Sequence, residues 1–313
     1  MNLDSNFSAA VFLLFGLLIG SFLNVVIYRL PQMMFRAWLD DASENLASET
    51  PEHNLWHLVF QNKKPAPAHM HHVAQEIGEA LNEIPALNLL TPASRCSGCG
   101  HQIRWFENIP ILSWLFLRGR CSGCKTRISF RYPAVELATG LLFAWCGLAY
   151  GLTWTGAAWA LFSAVLVTLA MIDWDTKLLP DSITLPFVWA GILASMLGYT
   201  QVSLINSVIG AVIGYMSLWS IYWIFKLLTG KEGMGFGDFK LLAALGAWFG
   251  WAGLVPVILI SSVVGAVIGL FLKINNRLGE SAQIPFGPFL ALGGLAAMLF
   301  SPATLLRAFG LGV

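Results

Sequence analysis

The stretch "LLAALGAWFGWAGLVPVILISSVVGAVIGLFL", residues 241–272, contains no charged side chain. One crossing of a bilayer takes about 20 apolar residues. The run is therefore too long for one span and short for two. Gly250, Gly253 and Pro256 offer a turn in its middle, so it reads as a short span followed by a longer one. Similar apolar blocks fall at about 8–28, 133–150, 154–172, 183–199, 204–228 and 286–306. The chain has 313 residues, of which 57% are hydrophobic and 11% charged, with a mean hydropathy of +0.68. A soluble domain carries roughly a quarter charged residues. The expected fold is an all-α polytopic membrane protein of about eight transmembrane helices, with seven as the alternative. The expected divisions are a first helix in 1–29, a polar domain in 30–132 and a helical membrane bundle in 133–313.

Positive charge orients the bundle. With the N-terminus outside and eight alternating helices, all of the 18 Lys and Arg residues except Arg307 fall on one face. Basic residues mark the cytoplasmic side, which puts residues 29–132 and the loops at 173–182, 226–240 and 273–285 there. The first apolar run lacks a basic start and a small-residue cleavage site, so it reads as a retained helix. A net charge of +1 offers no electrostatic footprint for nucleic acid.

Within the polar segment the cysteines are the clearest signal. "CSGCGHQIRW" and "CSGCKTRISF" place Cys96, Cys99, Cys121 and Cys124 in two C-x-x-C knuckles. A two-residue gap containing glycine lets one turn present two thiolates, and four thiolates satisfy a tetrahedral zinc ion with no position left open. The expectation is a structural zinc site, as a pair of redox motifs would call for a βαβ context that is not visible. Five histidines (His53, His57, His69, His71 and His72) read as solvated loop residues rather than a second metal cluster. Cys146, alone in an apolar run, reads as a small helix residue.

Ionisable groups at membrane depth are costly and mark function by default. Asp173, Asp175 and Asp181 lie in "LAMIDWDTKLLPDSITLP", and Asp238 lies in "GMGFGDFKLLAAL". In the derived topology both stretches emerge on the cytoplasmic side, so two carboxylates from different helices can converge. Each also has a structural alternative. Asp181 and Asp238 fit helix caps, and Asp175 fits an interfacial pair with Lys177. Gly233, Gly235 and Gly237 allow an extended or left-handed backbone and leave room for another chain to approach Asp238. Two adjacent carboxyls cannot both ionise easily, so one keeps a proton. Such a pair hydrolyses peptides without a metal or a covalent intermediate. A phosphate loop at "GMGFG" lacks its strand and its Gly-Lys-Ser/Thr. Glu136 reads as structural, paired with Arg131 or Lys240. The residues alone leave Asp173, Asp175 and Asp181 open as partners for Asp238.

Taken together, "GSFLNVVIYRLP" (20–31), the cysteine knuckles followed by "RYPAVEL" (131–137), "DWDTKLLPDSITLP" (173–186) and "GMGFGDFKLLAALGAWFG" (233–250) resemble the type IV prepilin leader peptidases. These are GxGD-type aspartic membrane proteases that in bacteria are usually N-methyltransferases as well. The resemblance covers nearly the whole chain. It implies Asp173 and Asp238 as the catalytic dyad, with the glycines admitting the precursor. It implies prepilins and pseudopilins as substrates, cut after a glycine at the cytoplasmic membrane boundary of the inner membrane. It also implies methylation of the new N-terminus with S-adenosylmethionine, for which no contact residue can be named. Membrane lipid is the remaining expected partner. The alternative from another class is a polytopic carrier using both aspartates as a proton relay, although no related halves are visible. A zinc-bearing assembly scaffold is a third.

Overall fold

The computed structural model describes residues 3–48, 50, 52–61, 63–275 and 284–311. Glu49, Glu280 and most of the expected inside loop 273–285 lie outside the described residues. The described chain is helical: α1 (Leu3–Ala47), α2 (Leu55–Phe60), α3 (Met70–Glu83), α4 (Leu112–Phe116), α5 (Arg131–Tyr150), α6 (Trp154–Thr176), α7 (Asp181–Met196), α8 (Leu204–Thr229), α9 (Phe236–Ile274), α10 (Gly287–Phe300) and α11 (Pro302–Ala308). A single 3-10 turn spans Trp105–Asn108. Among the described residues there is no strand, only the isolated antiparallel bridges Arg95↔Gln102 and Arg120↔Arg127. The chain divides into two compact units, Met1–Ile27 with Arg104–Val313, and Tyr28–Ile103.

Among the described residues five helices (α1, α5, α6, α8 and α9) are long and apolar enough to cross a membrane, and a sixth span arises if α10 and α11, bent by 101°, cross together. About eight crossings were expected from the apolar blocks. The difference has two sources. Helix α7 is 16 residues, about 24 Å at 1.5 Å per residue, below the usual length of a span, yet it runs the depth of α9's first arm, from the Asp181–Lys240 pair to Gly191 against Trp248. Helix α9 counts once in that total, although its 39 residues are two helical arms meeting at Gly250, whose φ of 71° and ψ of 174° are not helical, in line with the two expected spans. The turn therefore sits at the first of the three residues that suggested one, and only glycine adopts that backbone without strain.

Helix α1 differs more. It continues for 45 residues, through Pro31, well past the apolar block ending near residue 28. Proline removes one helical hydrogen bond, but the residues after it, "QMMFRAWLDDASENLA", are mostly good helix formers. In the second unit, two arginines two turns apart on one face of this extension clasp the following chain. Arg29 donates to the carbonyls of Asn88 (2.9 Å) and Pro92 (2.6 Å), and Arg36 to those of Pro85, Leu81 and Ile84. The histidines expected in a loop are partly helical: His57 lies in α2, and His71 and His72 lie in α3, where His72 faces Glu76 at 3.3 Å.

The core of the first unit lies around α9, whose first arm from Asp238 to Gly250 is almost wholly buried. Trp159, Phe162, Phe187, Trp248 and Phe249 form one aromatic cluster, with the Phe162 and Trp248 centroids 5.0 Å apart. The Trp248 indole N–H donates to the Phe187 carbonyl at 3.3 Å, which removes the one polar atom of that ring from hydrocarbon. Cys146 is fully buried.

Helices α8 and α9 touch backbone to backbone. A Cβ on Gly210 would collide with the Gly246 carbonyl, and one on Gly246 with the Gly210 carbonyl. Gly214 lies equally close to Leu242, and the Ser207 hydroxyl donates to the Ala247 carbonyl at 2.7 Å. Lipid tails give helices no hydrophobic reason to associate, so close packing of small residues and interhelical hydrogen bonds must do it. Gly246→Ala is expected to cost about 1–3 kcal/mol, the usual range for overpacking. The check is thermal unfolding of the solubilised protein, where an unchanged midpoint would refute the contact.

Candidate active site

Asp173 closes the last turn of α6. Beyond Thr176 the chain turns out of the helix at Lys177, whose φ of 56° is left-handed and whose N–H donates to the Asp173 carbonyl at 2.8 Å. The side chain points inward and is only 5% exposed. Its Oδ2 accepts a hydrogen bond from the N–H of Gly287, 2.9 Å away and 114 residues later in the chain. Gly287 is the first residue of α10 and is followed by Pro288. The donor is thus one of the unsatisfied amides that every helix N-terminus presents, and the helix dipole adds to it.

Asp238 occupies the first turn of α9, three residues after the extended N-cap Gly235. It does not cap the helix with its side chain. It is 7% exposed, and its Oδ1 is buried with no hydrogen-bond partner. Unsatisfied buried polar atoms are rare and call for a reason. The charge of Asp173 acts directly on this carboxyl.

Leu179 holds the three segments together. A Cβ on Gly237 would lie 2.7 Å from Leu179 Cβ, and one on Gly287 would lie 3.2 Å from Leu179 Cδ1 and 2.5 Å from Asp173 Oδ2. The loop after α6, the start of α9 and the start of α10 therefore meet at one leucine, because two of them carry glycine there. The three glycines before Asp238 now separate by role. Gly233 lies against the Phe225 ring and Gly237 against Leu179, whereas only Gly235 faces open space. None of the three is left-handed.

The other acidic groups nearby are partnered. Asp175 pairs with Arg131 at 2.7 Å, not with Lys177. Asp181, the first residue of α7 rather than its cap, pairs with Lys240 at 2.6 Å. Glu232 pairs with Lys226 at 2.9 Å, and that hydrogen bond holds its carboxyl below the usual carboxylate range. Glu136 pairs with neither Arg131 nor Lys240: its Oε2 accepts from the N–H of Ile111 at 2.7 Å. Among the described residues Asp173 and Asp238 have no cationic partner. Two buried, uncompensated carboxyls that interact with each other are suited to exchanging protons with a bound substrate.

The two cysteine knuckles share one backbone design. The N–H of Cys96 donates to the His101 carbonyl and that of Cys121 to the Thr126 carbonyl, each at 2.9 Å. Four residues after each first cysteine, Gly100 and Lys125 take left-handed φ values of 71° and 60°. The four sulfurs lie within 4.8 Å of one another, the one metal-compatible cluster among the described residues. Four sulfurs about 2.3 Å from a zinc ion stand roughly 3.8 Å apart, so this group fits the metal.

Gly287 is the residue that sequence reasoning missed. The stretch "IPFGPF", residues 284–289, reads only as the entry to an apolar block. Its one signal is a glycine directly before the proline that opens a helix.

A model of the Bacterial Peptidase A24 N-terminal domain matches residues 14–150, and a model of the Type IV leader peptidase family matches residues 160–270. A prepilin leader peptidase/N-methyltransferase of Stutzerimonas stutzeri is 49% identical over 288 residues, which cover 92% of this chain and 89% of the relative. Proteins of the same description are 45% identical in Pseudomonas aeruginosa, with the same coverage, and 46% identical in Aeromonas salmonicida, over 92% of this chain and 89% of that one. No solved structure matches the chain.

Proposed function

The chain belongs to the type IV leader peptidase family, and from that premise we propose that Asp173 and Asp238 are the carboxyl pair with which it cleaves prepilins. The observation that supports this most is the contrast in partners: Asp175, Asp181 and Glu232 each face a cation, whereas the two buried aspartates face each other's field. The protein is a multi-pass membrane enzyme, a prepilin leader peptidase and N-methyltransferase like its relatives. The positive-inside rule supports an inner-membrane orientation with a periplasmic N-terminus and both aspartates on the cytoplasmic side. There they would meet the boundary between a precursor's basic leader and its apolar helix. Pseudopilins of type II secretion share that chemistry and are substrates on the same grounds.

The roles follow from the hydrogen bonds. Asp173, accepting from the Gly287 N–H, is the ionised partner and takes a proton from water as that water attacks the scissile carbonyl carbon. Asp238, with an oxygen that no protein donor reaches, carries the proton and gives it to the carbonyl oxygen. As the tetrahedral diol collapses, one hydroxyl returns its proton to Asp238, the C–N bond breaks, and the proton held by Asp173 leaves with the amine. Gly235, the one open glycine of the three, is where the precursor backbone passes. S-adenosylmethionine supplies the methyl group for the second reaction. Cleavage of a precursor peptide and methyl transfer to a pre-cleaved peptide, measured separately on the purified enzyme, test both activities.

Cys96, Cys99, Cys121 and Cys124 would hold one zinc ion as four thiolates, a closed set that leaves no place for a substrate. Purified protein is expected to carry about one zinc ion per chain. Cys121→Ser, which alters the buried member of the set, is expected to lower the zinc retained after dialysis against a chelator to a small fraction of that. Elemental analysis decides, and full retention by the variant would exclude the four-cysteine site.

A further inference from the structure

The segment between the 3-10 turn and α5 exposes more apolar surface than a water-facing loop tolerates. Trp105 is 81% and Phe116 84% exposed, and Phe106, Leu112, Leu115 and Phe130 are exposed as well. Its exposed charges are almost all of one sign: Arg104, Arg118, Arg120 and Arg127 are accessible and form no ion pair among the described residues.

Two contacts fix the depth of this segment. The N–H of Ile111 donates to Glu136 Oε2, and Glu136 lies five residues beyond Arg131, about 7 Å into the spanning helix α5. On α1 the same level is marked by Gly20, where an added Cβ would lie 2.7 Å from the Glu136 Cα. Gly20 is nine residues before Arg29, the first basic residue of α1, hence about 13 Å inside that apolar span. The tip of the loop thus reaches a level at which both neighbouring helices are already surrounded by lipid. Arg104 and Arg118 stand on either side of the run, and the one charge within it, Glu107, is turned back to accept from the Arg104 N–H at 2.9 Å.

We propose that residues 105–116 are a membrane-inserted hairpin of the leaflet from which the polar segment emerges. Trp105, Leu112, Leu115 and Phe116 lie in the boundary between headgroups and acyl chains, and Arg104 and Arg118 bind the phosphates of anionic phospholipids. Aromatic residues favour that boundary. A basic residue at an anionic surface contributes about 1 kcal/mol, close to fivefold in affinity. The occupant is lipid rather than a protein partner because the polar atom at the tip, the Ile111 amide, is already satisfied from within a spanning helix.

The test uses the full chain in vesicles of phosphatidylethanolamine and phosphatidylglycerol. With Phe116→p-benzoylphenylalanine, irradiation is expected to give a covalent lipid adduct detectable by mass spectrometry. A cross-link to a second copy of the chain instead, or no lipid adduct above an unirradiated sample, overturns the proposal. In parallel, the pair Arg104→Gln with Arg118→Gln is expected to lower co-purified phosphatidylglycerol by tenfold or more, from about fivefold per arginine. Unchanged retention overturns it equally. Neither variant touches the aspartates, so precursor cleavage by the arginine pair in detergent shows that the protein is folded.

Discussion

Asp238→Asn is expected to lower kcat for precursor cleavage by about a thousandfold or more, while the protein becomes no less stable. Asparagine keeps the shape of the side chain but neither holds nor returns a transferable proton, and general acid–base groups contribute roughly 10²–10⁴-fold. The stability half of the expectation is the unusual one. Oδ1 of Asp238 is buried without a partner, so the wild-type residue destabilises its surroundings, and a neutral amide removes a carboxyl that has no cation to face. Activity lost at an equal or higher unfolding temperature is the signature of strain kept for function. Asp173→Asn is expected to lose activity similarly. Its side-chain carbonyl can still accept from Gly287, so folding again survives. Cleavage at the wild-type rate by either variant would end the dyad.

Gly287→Ala is expected to lower kcat by about a hundredfold with KM little changed. The added methyl would stand 2.5 Å from Asp173 Oδ2, so the carboxylate must move or α10 must shift, and misplacement by about 1 Å costs up to 10²-fold. The substitution lies away from open Gly235, which is why binding should persist. Single-turnover kinetics on a precursor peptide separate the two quantities. A kcat within twofold of wild type would show that the amide does not position Asp173.

The parts of this architecture that were legible in the sequence are those set by local chemistry. Charge-free runs announced membrane helices, the group Gly250, Gly253 and Pro256 announced a break in α9, and the C-x-x-C spacing announced paired sulfurs. What stayed hidden was partner choice across long separations. Asp175 has Lys177 two residues away but is met by Arg131, because Lys177 leaves the helix in a left-handed turn. Lys240 stands two residues from Asp238 but reaches Asp181. Such pairings depend on which helix faces lie together. The same limit explains the glycines before Asp238: two of them serve packing against Phe225 and Leu179, which a local reading sees only as clearance. It also explains Gly287, whose role appears only once α10 abuts α6. The length of α1 beyond residue 28 was a different failure, in which loss of hydropathy suggested an end to a helix that good helix formers continue.

The meeting of three chain segments at Leu179 has a consequence for biogenesis. As a chain emerges from the ribosome from its N-terminal end, Asp173 and Asp238 enter the bilayer well before residue 287. Until α10 arrives, no amide holds the Asp173 carboxylate and Leu179 lacks one of its walls. A half-inserted enzyme would therefore be inert. Proteolytic competence would come only with the last helices, a delay that spares neighbouring nascent membrane proteins from an unfinished protease.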